Sequence, residues 1–380
     1  MIIPSADRLQ LFQEYFFSRK LKEITSLVEE GHPVINLGIG SPDLAPAPTV
    51  VEALHQSAVD PAHHGYQAYN GSVNLRRSIA NFLERTYQVH FDPDTEILPL
   101  MGSKEGIFHL SMAFLNPGDT VLIPEVGYPA YRSVSLMVGA KVVEYPLTAD
   151  WTPDWENIDV SDQPKILWLN YPHMPTGTPA SKELFVEAVS WAKENNVLLC
   201  HDNPYSLVLN DNPLSIFAVE GAREVSLELN SLSKSHNMAG WRVGWISGAA
   251  AYLKNVLTIK SNIDSGMFRG LQDAAVEAMT LDESWHRERN SIYARRQKTA
   301  FDILHIVGCA YDKSQKGMFV WGRLPDNLPD ADQWTTDVLR DKFVFITPGS
   351  LFGEKGKRYI RISLCSPEEK LREAFERLKK

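Results

Sequence analysis

The stretch LNSLSKSHNMAGWRVGW, residues 229–245, sets Lys234 among Ser231, Ser233 and Ser235, with Arg242 eight residues further on. An ordinary lysine, with a pKa of about 10.4, is protonated and no nucleophile at neutral pH. Desolvation or a neighbouring cation lowers that value, and the free amine can then form an imine with an aldehyde. Hydroxyls at minus three and minus one, with an arginine shortly after, are what a phosphate anchored beside that imine needs. Taken alone, S-x-S-K also suits a polar loop leading into a strand. The rest of the chain decides.

At 380 residues the chain is long for one core, so two lobes or one large elaborated domain are expected. A hydrophobic fraction of 44% and a charged fraction of 22% are those of a globular protein in water. The net charge of −9 argues against nucleic acid or an anionic membrane as the main partner. Cys200, Cys309 and Cys365 are scattered and form no C-x-x-C pair, so neither a disulfide framework nor a zinc site is expected. The opening MIIPSADRLQLFQEYFFSRKL is charged throughout and lacks an apolar signal core, which makes a cytoplasmic location the expectation.

Residues 6–30 read as a helix stopped by Gly31 and Pro33. A short strand follows and runs into GIG at 38–40. A dinucleotide turn needs a third glycine at 43, where the chain has Asp43, so that reading is rejected. Two glycines there instead let the backbone approach a ligand closely. His63 and His64 have no carboxylate at helical spacing and read as a solvated loop. ILPLMGSKEGIFHLSMAFL, 97–115, reads as strand, turn and helix. Gly102, Ser103 and Lys104 then fall at a helix start, where free N–H groups favour an anion. Strand-like runs at 121, 141, 165, 197, 224 and 242 alternate with helical ones. The pattern predicts an α/β fold with a largely parallel sheet between helices, and ligands off the carboxyl ends of its strands. Residues 250–300 read as helical, and 305–380 as a few strands with a charged terminal helix. The expected organisation is an N-terminal segment, 1–45, joining the small domain; a large domain, 46–285; and a small C-terminal α+β domain, 286–380.

A lysine for an aldehyde, with serines and an arginine for a phosphate, describes pyridoxal phosphate. The ordered motifs, over nearly the whole chain, resemble those of class I/II aminotransferases, pyridoxal-phosphate enzymes of fold type I. The resemblance implies Lys234 as the Schiff-base lysine and proton shuttle. It implies Ser231 and Arg242 as phosphate anchors, joined by the turn Gly102, Ser103 and Lys104. Asp202 in HDNPY matches the carboxylate beside the pyridine nitrogen, Tyr205 the donor to the ring's phenolic oxygen, and Tyr128 the aromatic stacked on the ring. Asn170 is a further candidate for binding the cofactor. Arg361 in YIRIS matches the fork for the substrate α-carboxylate, Gly40 a backbone contact to it, and Phe352 a wall of the pocket. Tyr66 matches a residue that reaches the neighbouring subunit's phosphate, which implies a homodimer. One position departs from the family: HMPTG, 173–177, has Met174 where an asparagine usually serves the phenolic oxygen, and a thioether cannot donate. The bound imine is therefore expected to be more basic than usual.

The implied reaction moves an α-amino group from an amino acid to a 2-oxo acid, and the chain looks closest to the diaminopimelate and aspartate branches. Arg269 could serve a distal carboxylate or a phosphate, or lie on a helix surface. Two rivals remain open from sequence: a pyridoxal-phosphate carbon–sulfur β-lyase, and a non-catalytic cofactor-binding regulator, for which only about 35 residues precede the first motif.

Overall fold

Alternating apolar residues make the central strands what they are. In the runs at 120–124 and 166–169, Val121, Ile123, Ile166 and Trp168 join one buried cluster, while Leu122, Leu167 and Leu169 join another. Side chains two apart share a face, so these strands must be covered on both sides. A computed structural model of the chain describes residues 3–12 and 16–379. Its order begins with helix α1 (Phe16–Glu29), strand β1 (Ile35–Asn36), α2 (Pro48–Ala58), α3 (Val73–Tyr87), β2 (Ile97–Leu100) and α4 (Ser103–Phe114). Next come β3 (Thr120–Pro124), α5 (Pro129–Met137), β4 (Lys141–Tyr145), β5 (Ile166–Leu169), α6 (Lys182–Asn195) and β6 (Leu198–Asp202). Then follow α7 (Ala222–Val225), β7 (Ser226–Ser231), α8 (Leu232–Ser235), β8 (Gly244–Gly248), α9 (Ala250–Lys260), α10 (Arg269–Ala278) and α11 (Glu283–Val307). The chain closes with β9 (Phe319–Arg323), α12 (Ala331–Lys342), β10 (Val344–Phe345), β11 (Thr347–Pro348), β12 (Tyr359–Ser363) and α13 (Glu368–Lys379).

The main sheet has seven strands in the order β2-β8-β7-β6-β5-β3-β4. Pairing is parallel from β4 through β7 and antiparallel at β7–β8 and β8–β2. Helices α4, α5 and α9 cover one face and α6 the other, through Ile107, Ala130 and Val256 against Phe185, while α11 packs on α13 and β9. The edge strand β4 turns Lys141 and Glu144 to solvent, which blunts it as a template for another chain. The expected mostly parallel sheet between helices is present. Because β5, β6 and β7 run parallel in register, Asn170, Asp202 and Ser231 emerge side by side at their carboxyl ends.

A second sheet, β11-β12-β9, is antiparallel, and β1 pairs in parallel with β10, Ile35 opposite Val344. The helical reading of 250–300 resolves into three helices. Gly266 breaks the first pair: its φ is 84°, and a Cβ there would lie 2.6 Å from the Gln67 carbonyl oxygen. Helix α11 begins at Glu283, so a boundary at 285/286 falls within its first turn. The opening run gives a 3-10 turn at Asp7–Leu11 before α1, and residues 13–15 of the expected helix lie outside the described residues. No helix among the described residues is long and apolar enough to cross a membrane.

The N-terminal segment is tied to α11 by a two-pronged pair: Arg296 Nη1 and Nη2 donate to Asp43 Oδ1 and Oδ2 at 2.6 and 2.8 Å, and Nη1 also donates to Leu364 O at 2.9 Å. Removing one member of a buried pair strands the other. Arg296→Ala is expected to cost about 3 kcal/mol in unfolding free energy, read by urea denaturation, with Asp43→Asn costing less.

Candidate active site

Strand ends, a helix start and the second lobe converge on one cavity of about 690 Å³. Lys234 projects into it from α8, the four-residue helix that follows β7 directly. Ser231 caps this turn: its Oγ accepts from Ser233 N at 3.1 Å and donates to Val243 O at 3.2 Å. Lys234 Nζ donates to Gly40 O at 2.5 Å. Burial lowers the pKa of this amine; Cys365 opposes that, and the Arg361 and Arg242 cations each lower it by less.

At the cavity floor, Gly102 precedes α4 with φ 86°, and no side chain caps the helix. A Cβ on Gly102 would stand 2.2 Å from Arg242 Nη2, and one on Gly244 would stand 2.8 Å from Ser103 N. Only glycines let the arginine and the helix start come together. Arg242, itself at φ 59°, donates from Nη1 to Ala239 O at 2.9 Å and to Ser233 Oγ at 3.4 Å. Lys104 also lines the cavity, its pKa lowered by burial and then by Arg242. The floor is a ready anion cradle.

Asp202, 4% exposed, ends β6. Its Oδ2 accepts from Tyr131 Oη at 2.9 Å, while Oδ1 is buried with no hydrogen-bond partner among the described residues. Desolvation pushes its pKa up to about 6, against the Tyr131 hydrogen bond and the charge of His201. Tyr128 and Tyr205 line the same cavity, and burial raises the Tyr205 phenol well above its usual range. Asn170 lines it too, but both ends of its amide are used on backbone: Nδ2 donates to Asp202 O at 2.6 Å and Oδ1 accepts from Met174 N at 2.9 Å.

Arg361, 3% exposed on β12, reaches in from the second lobe. Phe319 and Phe352 hold its guanidinium at 3.9 and 4.5 Å from their ring centroids. Its Nη2 donates to Gly38 O at 2.9 Å, and its Nη1 to Met174 Sδ at 3.4 Å. A thioether is a weak acceptor, so an arriving carboxylate displaces that contact cheaply.

The pattern of the aminotransferase class I and II family matches residues 32–378. The chain belongs to that family. It is 37% identical over 380 residues, 98% of each chain, to the LL-diaminopimelate aminotransferase of Aquifex aeolicus. It is 36% identical over 383 residues, 99% of this chain and 98% of the other, to that of Halothermothrix orenii. Among solved structures, substrate-bound BacF from Bacillus subtilis superposes with a TM-score of 0.95 at 34% identity, covering 100% of this chain and 98% of that one. A probable N-succinyldiaminopimelate aminotransferase from Thermus thermophilus gives 0.90 at 33%, covering 96% and 99%. The protein is an aminotransferase of fold type I.

Of the residues read from sequence, Gly40, Ser103, Lys104, Tyr128, Asn170, Asp202, Tyr205, Ser231, Lys234, Arg242, Phe352 and Arg361 all line this aminotransferase's cavity. Gly102 stands directly behind it against Arg242. Tyr66 does not line it and is 94% exposed. Arg269 is turned away: its Nε donates to both oxygens of Asp273, one turn along α10, at 2.8 and 3.0 Å. Lining residues absent from the sequence reading include Tyr131, Phe319, and Phe17 and Leu21 of α1. The Y-P-A-Y spacing of Tyr128 and Tyr131 was the available signal, since residues three apart share a helix face. Outside the cavity, Glu105, His109 and Asp264 bring one ligand atom each within 4.8 Å of one another. Lys260 Nζ, 2.8 Å from Asp264 Oδ1, already supplies a cation there, so the group reads as a buried ion network beneath α4.

A carboxyl whose folded pKa is raised favours folding below its unfolded pKa and loses that contribution as pH climbs to about 6. In the cofactor-free protein, Asp202→Asn is therefore expected to be more stable than wild type by about 3 kcal/mol at pH 7.5. The two are expected to converge near pH 4 in urea denaturation run across that range.

Proposed function

We propose that this aminotransferase holds pyridoxal phosphate in the cavity and moves the α-amino group of an aspartate- or diaminopimelate-like donor to a 2-oxo acid. One observation carries the reading. A desolvated amine, a buried carboxylate oxygen without a hydrogen-bond partner among the described residues and a guanidinium caged by phenyl rings share one cavity above a glycine-lined helix start. The residues fit the group. Asp202 Oδ1 has room for a protonated ring nitrogen, and Tyr128 gives the ring a face. The N–H groups at Ser103 and Lys104, with Arg242, Ser233 and Ser231, suit a phosphate dianion. The Ser231 hydroxyl, now aimed at Val243 O, must turn to donate to it. Tyr205 is assigned as the donor to the phenolic oxygen, and Asn170 is held beside it by backbone bonds to Asp202 O and Met174 N.

When bound, pyridoxal phosphate supplies an aldehyde for the lysine and a ring that withdraws electrons from the substrate α-carbon. The protein supplies the rest. Arg361 binds the α-carboxylate while Phe319 and Phe352 keep water from it. The backbone of Gly40 lies against that carboxylate, and its carbonyl aims Lys234 Nζ. Lys234, whose charged form is disfavoured by burial, takes the α-proton at Nζ and returns it on the other side of the transfer. Asp202 stays ionised beside a cationic ring nitrogen. Tyr66, outside its own chain's cavity, is assigned to the site of a second copy, which makes the working form a homodimer. Residues 1–45 and 286–380 are assigned to one small domain that meets the large domain, 46–285, across the cavity. The pairing of Ile35 with Val344 supports this assignment. The donor class is supported by the names of the relatives that match along the whole chain.

The test is the visible spectrum of purified protein with amino acids added singly. Bleaching of the cofactor band by a donor, and its recovery with a 2-oxo acid, is expected. Pyruvate formed from cystathionine without any oxo acid would replace this reading with a β-lyase. Lys234→Ala is expected to show no such response, and Arg361→Lys to raise KM for the donor by about tenfold or more. Met174→Asn returns a donor to the phenolic oxygen and is expected to lower the spectroscopic pKa of the bound cofactor by about one unit. An unmoved titration would show that Met174 costs the site no donor.

A further inference from the structure

We propose that Tyr131 is a positioning residue for this reaction, one that fixes the plane of the Asp202 carboxylate and so presents Oδ1 to the ring nitrogen of the cofactor. The assignment rests on the pyridoxal-phosphate reading and goes beyond it to a residue outside the family motifs quoted above.

A carboxylate at the end of a strand turns freely about its last bond, and its two oxygens are equivalent until something distinguishes them. Here Tyr131 does so. Its Oη donates to Oδ2 at 2.9 Å, and Oδ1 is left buried without a hydrogen-bond partner among the described residues. The phenol is itself immobile. Tyr131 is 1% exposed, and its ring stacks on Trp168 with centroids 5.0 Å apart and planes 5° from parallel. Trp168 lies on β5, the strand beside the one that ends in Asp202, and is fully buried. On its other side Tyr131 meets Tyr128 edge to face at 5.6 Å. Tyr128, the N-cap residue of α5, and Tyr131, in the first turn after Pro129, therefore bring together the aromatic assigned to the ring face and the donor that sets the carboxylate behind the ring nitrogen.

The donor's chemistry matters as well as its place. Burial and the Asp202 charge hold the Tyr131 phenol far above the pH range of the protein, so it donates and stays neutral. A cationic donor would compete with the ring nitrogen for the carboxylate's charge. A neutral one supports the ionised form of Asp202 and leaves the ion pair to the ring nitrogen.

The test uses cofactor-free protein and two ligands: pyridoxal phosphate and its 1-deaza analogue, in which carbon replaces the ring nitrogen. Dissociation constants are read by absorbance and fluorescence titration, with Asp202→Asn as the reference for a lost ion pair. Tyr131→Phe keeps the ring on Trp168 and removes only the hydroxyl. It is expected to weaken pyridoxal phosphate about tenfold while moving the deaza analogue less than about twofold. Equal weakening of both ligands would mean that Tyr131 merely supports the fold, and no change in either would remove the assignment. Wild-type protein that binds neither ligand would overturn the cofactor reading itself, a failure distinct from the other two. Should Tyr131→Phe not fold, fluorotyrosine placed at 131 strengthens the donor without deleting an atom. It is expected to lower the pKa of carbon-13-labelled Asp202 in the cofactor-free protein, and an unshifted value would count against the proposal.

Discussion

Withdrawal of water from charge is the constraint on which this site rests. Lys234, Asp202 and Arg361 occupy one cavity, and the groups that orient them include a phenol, a thioether, backbone carbonyls and phenyl rings. Neutral partners orient a charge without cancelling it. Burial of the lysine and the aspartate carries a desolvation cost, visible in the lowered pKa of the one and the raised pKa of the other. Ligand groups of opposite charge recover that cost on arrival. Such a site is electrostatically prepared in advance, which is where preorganised dipoles and charges act most strongly.

The sheet makes the arrangement possible. Parallel strands in register end on the same side, so three consecutive neighbours deliver three polar positions within one stretch of edge. Their flanks are apolar on both faces, and the strands have no freedom to drift. What the sheet cannot supply is a group facing its edge from outside. That comes from the second lobe, whose β12 carries Arg361, with Phe319 on the neighbouring strand and Phe352 in the turn before β12.

Most of this was legible in the amino-acid sequence, for local reasons. Gly102 is required by a left-handed turn and a close arginine, and the strands announce themselves by their apolar runs. Lys234 stands out because serines and an arginine surround it within a few residues. The features that escaped are those whose meaning lies across the chain. Tyr131 is an ordinary helix aromatic until Asp202, 71 residues later, is laid beside it. The helix bearing Phe17 was legible, but its docking depends on Leu339 and Phe345, which pack with Ile24. Asn170 was legible as a candidate contact and lines the cavity, but the backbone bonds of its amide to Asp202 O and Met174 N were not legible. Hydrogen-bond capacity is finite, and sequence does not show how it has been allotted.

The pairing of β1 with β10 has a consequence for synthesis. On the ribosome the chain emerges from its N-terminus, and domains tend to fold as units while the rest is still being made. Strand β1 appears with the first few dozen residues, but its hydrogen-bond partner, Phe345, is more than three hundred residues away. The cradle of glycines, serines and lysine can assemble once Arg242 and β8 have been translated. Gly38 and Ile39, by contrast, must wait for Arg361 and Ser363, the residues that bind their carbonyls. A nascent chain therefore acquires its anion cradle well before its grip on a carboxylate, and β1 waits for its place until the second lobe has been made.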